Sequence, residues 1–321
     1  MSEKNSAFNL LHKNIQKWIY KNGWEELRPA QVEAIKEIRQ TSNHLIICSP
    51  TASGKTEAAM LPLISELLEK NIYDKSYIVY ISPLKALIND QFIRLESICE
   101  DNDISVVPWH GDISSSVKKK VEKNNQAIIL ITPESLEAML INTPSKAKFI
   151  FKNVISIVID EFHSFLGNDR GNQLISLLTR VEKFTKNKTR RIGLSATIGD
   201  KEYIAKALDS TNHEKTKIIS GSVSGTHKLK LLIKGYEYDS KLVGEELEAA
   251  SKEEMEKIKE KLPDVLITKD IYRFRNETNL VFPNSIRDVE NYVYEGNFLA
   301  KEFNENEVFY PHHSLLSNDL R

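Results

Sequence analysis

Cysteine is scarce: Cys48 and Cys99 are the only two in 321 residues. That excludes a disulfide framework, and no His/Cys spacing fits a zinc site. The pair His312-His313 comes nearest, and adjacent side chains on a strand face opposite ways. A surplus of charge is also missing, with 44 Lys and Arg against 45 Asp and Glu for a net charge of -1. Such a balance argues neither for nor against nucleic acid, because basic groups confined to one groove leave no trace in the total. Long apolar runs are absent as well. The opening stretch MSEKNSAFNLLHKNIQKWIY has no signal-peptide core, and nothing approaches membrane-spanning length, so a cytoplasmic protein with no membrane partner is expected. There is no internal repeat and no low-complexity tract. What remains is a globular composition, 40% hydrophobic and 28% charged, in a chain of 321 residues, which suits about two domains.

From residue 44 onward, short β-branched runs alternate with longer amphipathic segments. HLIICS, SYIVYIS, ISVVPW, AIILITP, VISIVID and RRIGLSAT read as strands, several apolar enough to be buried on both faces. Helical patterns lie between them, in KTEAAMLPLISELLEK, PLKALINDQFIRLESICE, SSSVKKKVEKN, ESLEAML and RGNQLISLLTRVEKF. This order predicts an α/β fold, a central parallel sheet with helices on both faces. Ligands of such sheets sit at the carboxyl ends of the strands, the places of Ser49, Pro83, Thr132, Asp160 and Ser195. After residue 212 the rhythm changes. HEKTKIISGSVSGTHKLKLLIKGYEY reads as short strands, and GEELEAASKEEMEKIKEKL as a charge-dense helix with a solvated face. NETNLVFPNS, SIRDVENYVYEGNFLAKEF and EVFYPHH then restart strand, helix and strand, too little to bury both faces of a second sheet. The expected division is 1–212, 213–275 and 276–321.

The stretch ICSPTASGKTEAAMLP, residues 47 to 62, leaves a strand and opens a helix, the setting of a phosphate-binding loop. The pattern G-x-x-x-x-G-K-[ST] begins with glycine, and here that position holds Ser49. The exchange is tolerable because the close approach to phosphate falls at Ser53-Gly54. Thr51, Ala52, Ser53 and Gly54 would surround the phosphates, Lys55 would reach the β/γ oxygens, and the Thr56 hydroxyl would take Mg²⁺. Pro62 lies inside the helix that follows, where a kink or an early break is expected. VISIVIDEFH ends an apolar strand in Asp160-Glu161 at the ligand-bearing edge. Asp160 can hold Mg²⁺ and Glu161 can orient and deprotonate a water, or the two acids merely cap the next helix. Gln31 in LRPAQVEAI carries an amide that can both donate to and accept from an adenine edge. Trp24 either stacks on the base or belongs to the core. Lys118, Lys119 and Lys120 read as a solvated basic helix face.

The ordered set LRPAQ, SPTASGKTEAA, ISPLKALINDQ, WHGD, ITPESLEA, DEFH, RGNQL and GLSAT resembles the motif series of superfamily-two DEAD/DEAH-box helicases, in wording closest to the Lhr-like group. The resemblance covers residues 8 to 212 densely and continues weakly into NLVFPNS and PHHSLLSNDLR. It implies a RecA-like P-loop NTPase domain, then a linker and the start of a second RecA-like domain. In that family Gln31 would read adenine, the 53–56 run would hold phosphates and metal, and Asp160 and Glu161 would bind metal and activate water. His163 and Ser195-Ala196-Thr197 would couple nucleotide state to grip on the strand. Pro83-Leu84-Lys85, Gly111-Asp112, Thr132-Pro133-Glu134 and Arg170-Gly171 would line the strand path, holding phosphates without reading bases.

The implied activity is ATP hydrolysis with Mg²⁺, driving movement along single-stranded or partly duplex DNA or RNA; DNA repair and phage defence are both compatible with it. One departure matters. Such helicases complete the ATP site with arginines of a QxxGRxGR-like motif in the second domain, and residues 1–321 contain no such string. The expectation is therefore of a chain that binds ATP and nucleic acid but hydrolyses and unwinds poorly, with another chain or further sequence supplying the rest. The competing class is a nucleotide-gated nucleic-acid-binding module without motor activity. A P-loop kinase fits less well, since nothing in kinases asks for ITPESLEA or GLSAT.

Overall fold

The computed structural model describes residues 3–50, 53–70, 73–118, 120–186, 188–197, 199–221, 232–236, 251 and 262–313. Two compact units result, Met1–Thr226 and His227–Arg321.

Seven strands form the sheet of the first unit: β1 (His44–Cys48), β2 (Ser76–Ile81), β3 (Ser105–Trp109), β4 (Gln126–Ile131), β5 (Val154–Ile159), β6 (Arg190–Ser195) and β7 (Thr216–Ser220). They run in the order β3-β4-β2-β5-β6-β1-β7, and every pairing is parallel. The apolar runs become strands because both of their faces are covered. Leu45 and Ile47 of β1 and Ile78 and Tyr80 of β2 pack on one face, while Ile46, Tyr77, Val79 and Ile81 pack on the other. The first face is covered by α1 (Glu3–Phe8), α2 (Lys13–Lys21), α3 (Pro29–Gln40), α4 (Lys55–Glu69) and α5 (Lys85–Cys99). The short α6 (Ser115–Lys118) and α7 (Lys120–Lys123) follow β3. The second face is covered by α8 (Pro133–Asn142), α9 (Pro144–Phe151), α10 (Asp169–Glu182) and α11 (Lys201–Leu208).

Two expectations change here. β7 pairs with β1 from His44↔Thr216 to Cys48↔Ser220, so the sheet continues past residue 212. Burial of Ile219 against the α1–α5 face is what draws this strand in. Pro62 does not end α4, which runs on to Glu69. This helix is buried almost all round, from Lys55 through Ser65, and its packing offsets the one backbone donor that proline removes.

In the second unit α12 (Pro263–Tyr272) lies against α13 (Ile286–Glu302). The helix read at SIRDVENYVYEGNFLAKEF forms; the strands read at NLVFP and EVFY do not. A strand needs a neighbour to take its N–H and C=O groups, and Leu280, Val281 and Phe282 are exposed instead. At 308–309 the Asn297 side chain is the partner: its Oδ1 accepts from Val308 N and Phe309 N at 3.1 Å, and its Nδ2 donates to Phe309 O at 2.9 Å. The expected charge-dense helix around 244–262 lies outside the described residues apart from 251 and 262.

Candidate nucleotide and strand site

The carboxyl ends of β1, β5 and β6 carry the residues expected at a nucleotide. β1 leads into the loop at Ser49, whose N–H bonds Ser195 O at 3.2 Å and whose hydroxyl bonds that of Ser53. Among the described residues only Glu161 and Asn304 combine a side chain with positive φ, so Ser49 sits in a conformation that does not require glycine. Gly54 does adopt φ +82, and a Cβ there would stand 2.5 Å from Gln31 Nε2. The glycine the loop needs is therefore the second one. Lys55 is buried, its ammonium donating to Ser49 O at 2.6 Å and Pro50 O at 3.2 Å. Thr56 is buried in the first turn of α4. Thr51 and Ala52 lie outside the described residues.

Gln31 is held from two sides: its Oε1 accepts from Arg28 N at 2.9 Å, and its Nε2 donates to Gly54 O at 3.3 Å. With Trp24, Arg28, Gly54, Glu57 and Arg94 it lines a recess of about 510 Å³ beside the loop. That volume suits a small-molecule site. Trp24 lines the recess and packs against the core, its ring meeting Trp18 edge-on at 5.7 Å. Glu57 and Arg94 were not singled out from sequence. They form an ion pair between α4 and α5, 37 residues apart in the chain, and no local pattern announces it.

At the end of β5 Asp160 is buried, and its Oδ1 accepts from Glu161 N at 2.9 Å. Burial raises its pKa above the ordinary carboxylate range, opposed by the Tyr80 hydroxyl, the Glu161 N–H and the Lys55 charge. Glu161 has φ +45, uncommon for a non-glycine, and the chain turns there into a 3₁₀ segment, Phe162–Phe165. The reading of the acids as mere helix caps finds no support: Glu161 makes no side-chain cap bond to that segment. His163 Nδ1 lies 3.4 Å from both Ala196 N and Glu161 Oε2. It can accept from the amide only when unprotonated and donate to the carboxylate only when protonated. Ser195 Oγ donates to Thr197 O at 2.7 Å.

The expected strand-path residues form a second group, tied to one another. Arg170 donates through Nε to Glu134 at 2.7 Å and through Nη2 to Pro83 O at 2.6 Å, joining the first turns of α10 and α8 to the loop after β2. Lys85 pairs with Asp112 at 2.9 Å, and the buried ring of His110 lies 3.6 Å from the same carboxylate. Thr132 caps α8, its Oγ1 accepting from Ser135 N at 3.3 Å, with Pro133 at the first helical position. Gly171 is a packing residue: a Cβ would lie 1.6 Å from Phe165 O. Gly111 has open space around it. Lys118 and Lys146 both stand over the Trp109 ring, at 5.8 and 4.9 Å; Lys119 lies outside the described residues.

Asp160 and Thr56 supply oxygen donors of the kind that could hold a magnesium ion. No cluster of three or more metal-binding side chains occurs among the described residues. Mg²⁺ asks for less, since it is usually held by one or two protein oxygens with phosphates and waters completing the octahedron.

A parallel sheet of this order, with a Gly-Lys-Thr loop after β1 and an acidic pair after β5, defines an α/β P-loop NTPase of RecA-like fold. Residues 28–204 match the DEAD/DEAH box helicase family, and the chain belongs to it, within the Lhr-like group. It is 31% identical to ATP-dependent helicase Lhr-Core protein 2 of Thermococcus barophilus over 98% of this chain and 36% of that protein. With ATP-dependent helicase Lhr-Core of Methanocaldococcus jannaschii it shares 36% identity over 63% of this chain and 25% of the relative. Among solved structures, the Mycobacterium smegmatis helicase Lhr bound to ssDNA and AMP-PNP superposes with a TM-score of 0.71 at 24% identity, covering 98% of this chain and 39% of that one. The chain thus spans about a third of the length of the first of these relatives. No helix among the described residues is long and apolar enough to cross a membrane.

Proposed function

We propose that residues 1–321 form the ATP-binding part of a nucleic-acid helicase or translocase directed at DNA. The observation that carries this is the convergence of Lys55, Thr56, Asp160 and Glu161 on one sheet edge, next to a recess that contains Gln31. Binding would exchange the loop-carbonyl contacts of Lys55 for phosphate oxygens. Bound Mg²⁺ would supply charge neutralisation at the β- and γ-phosphates, held by Asp160 and the Thr56 hydroxyl. Glu161, displaced from the strand line by its left-handed backbone, would orient the attacking water and take its proton. His163 sits between that carboxylate and the Ala196 amide, so its ring would link Glu161 to the Ser195-Ala196-Thr197 turn.

The strand would run along Pro83, Lys85, Gly111, Asp112, Thr132 to Glu134 and Arg170, with Gly171 fixing the approach of α10. Because Arg170 is committed to Glu134 and Pro83 O, its role in this reading is to hold the starts of α8 and α10 and the loop after β2 in register as well as to add charge. The finer reading, that residues 1–321 alone turn over slowly, rests on the absence of an arginine-finger string within them. The second class, a nucleotide-gated binding module, is favoured by the same observation.

Lys55→Ala tests the assignment. ATP affinity is expected to fall at least about tenfold, as loss of a charge-assisted phosphate contact implies, while the melting temperature holds. Equal ATP binding by both proteins, measured by calorimetry, would sink the reading.

A further inference from the structure

Tyr80 belongs to none of the motifs read from the sequence, yet its side chain lies on the sheet face that carries the proposed metal ligand Asp160. It is fully buried on β2. Its register partner on β5 is Val158, so Asp160, two residues on, presents its side chain on the same face. That face is the one covered by α4, whose first turn carries Thr56. The Tyr80 hydroxyl is close enough to the Asp160 carboxylate and the Thr56 hydroxyl to interact with both. Neither contact has hydrogen-bonding geometry, and the oxygen has no partner among the described residues.

A buried hydroxyl without a partner is unfavourable, and phenylalanine would fill the same volume without it. Packing therefore accounts for the ring and leaves the oxygen unexplained. The oxygen is within interaction range of both groups that would hold Mg²⁺. A threonine hydroxyl that gives a lone pair to a metal still has its proton to donate, and a phenol can accept it while donating its own proton to a carboxylate.

We infer that Tyr80 is a positioning residue for the metal pair: its hydroxyl takes the Thr56 proton and donates to Asp160, holding the carboxylate and the hydroxyl in the orientation that binds Mg²⁺. This rests on the nucleotide site proposed above. Outer-shell partners of this kind orient the ligands themselves, and losing one typically weakens metal binding by about 10- to 100-fold.

The test is Tyr80→Phe in the full 321-residue chain, with a fluorescent ATP analogue titrated at fixed EDTA and again across a Mg²⁺ series. Metal-free nucleotide affinity and melting temperature are expected to match the wild type. The Mg²⁺ concentration needed to tighten nucleotide binding is expected to rise about tenfold. An unchanged Mg²⁺ midpoint would overturn the proposal, as would a variant that melts well below the wild type, since the hydroxyl would then be a structural group. A wild type whose nucleotide binding ignores Mg²⁺ would count against the site itself and take this role with it. A wild type that responds beside an unaltered variant rejects Tyr80 alone.

Discussion

Single residues in this protein are often set by what they cannot avoid touching. Gly171 shows it best, because any larger residue at the start of α10 would drive a Cβ to 1.6 Å from the Phe165 carbonyl. No rotamer change relieves a clash between two main-chain segments. Gly171→Ala is expected to cost about 3 kcal/mol or more, beyond the usual range for overpacking a core. For a domain of this size that lowers Tm by roughly 6 to 12 °C, with nucleotide affinity changed less than stability; differential scanning calorimetry beside an ATP titration would check it. Ser49 is the opposite case. Its backbone leaves the position open to a side chain, and the hydroxyl uses the opening to reach Ser53.

At the scale of elements, the amino-terminal edge of the sheet is tied by a buried polar network. His44, at the start of β1, accepts from Arg191 N through Nδ1 at 2.9 Å, and its Nε2 lies 2.9 Å from Asp209, so the neutral ring donates there. The same carboxylate takes Lys188 at 2.8 Å, and Arg191 reaches Glu182. Burial holds the His44 pKa below its usual value; Asp209 opposes this, and Lys188 and Arg191 reinforce it. Burial would raise the Asp209 carboxyl, but Lys188 and the Thr211 groups outweigh it and hold the pKa well below the ordinary range. Both shifts act in the same direction. The unfolded imidazole takes up its proton near pH 6.5 and the folded one only at lower pH, so stability present above that value is lost as pH falls. Asp209 adds a second loss at more acid pH, below about 4. Between pH 7 and 5 the wild type is expected to lose more thermal stability than His44→Gln, which cannot titrate there. Parallel Tm–pH curves for the two proteins would refute the assignment.

For the whole molecule, the two units differ in how well they cover their own apolar surface. The first buries both faces of a seven-stranded sheet. The second leaves Leu280, Phe282, Tyr294, Phe298 and Phe303 exposed around two helices. Residues 1–321 hold the phosphate, metal and water groups of the proposed site on one unit and contain no arginine-finger string. An arginine supplied across a nucleotide site is worth about 10³ to 10⁵ in rate. Residues 1–321 are therefore expected to bind ATP·Mg²⁺ with slow turnover, and strand-stimulated ATPase is expected to appear when a helicase second half is joined to them. Single-turnover hydrolysis measured for both proteins decides this, and fast unwinding by residues 1–321 alone would contradict it.

The sequence by itself determined the sheet-and-helix alternation of the first unit. Continuous β-branched runs have no stable alternative to being buried on both faces, and six of the seven strands stand where HLIICS through RRIGLSAT place them. It also placed the Gly-Lys-Thr loop and the acidic pair at strand ends, because each follows directly on an apolar run that becomes β1 or β5. Tertiary structure decided what depends on distant partners. KIIS and NLVFP both read as strands; KIIS joined the sheet as β7 because β1 offered a free edge, while NLVFP stayed irregular because no strand lies beside it among the described residues. Tyr80 is one apolar strand residue among many until the register places it beside Asp160. Arg170 could have been a free phosphate contact until folding committed it to Glu134 and Pro83. Local propensity acts over a few residues, and these outcomes were settled by pairings 36 to 172 residues apart, which only the packed chain brings within reach.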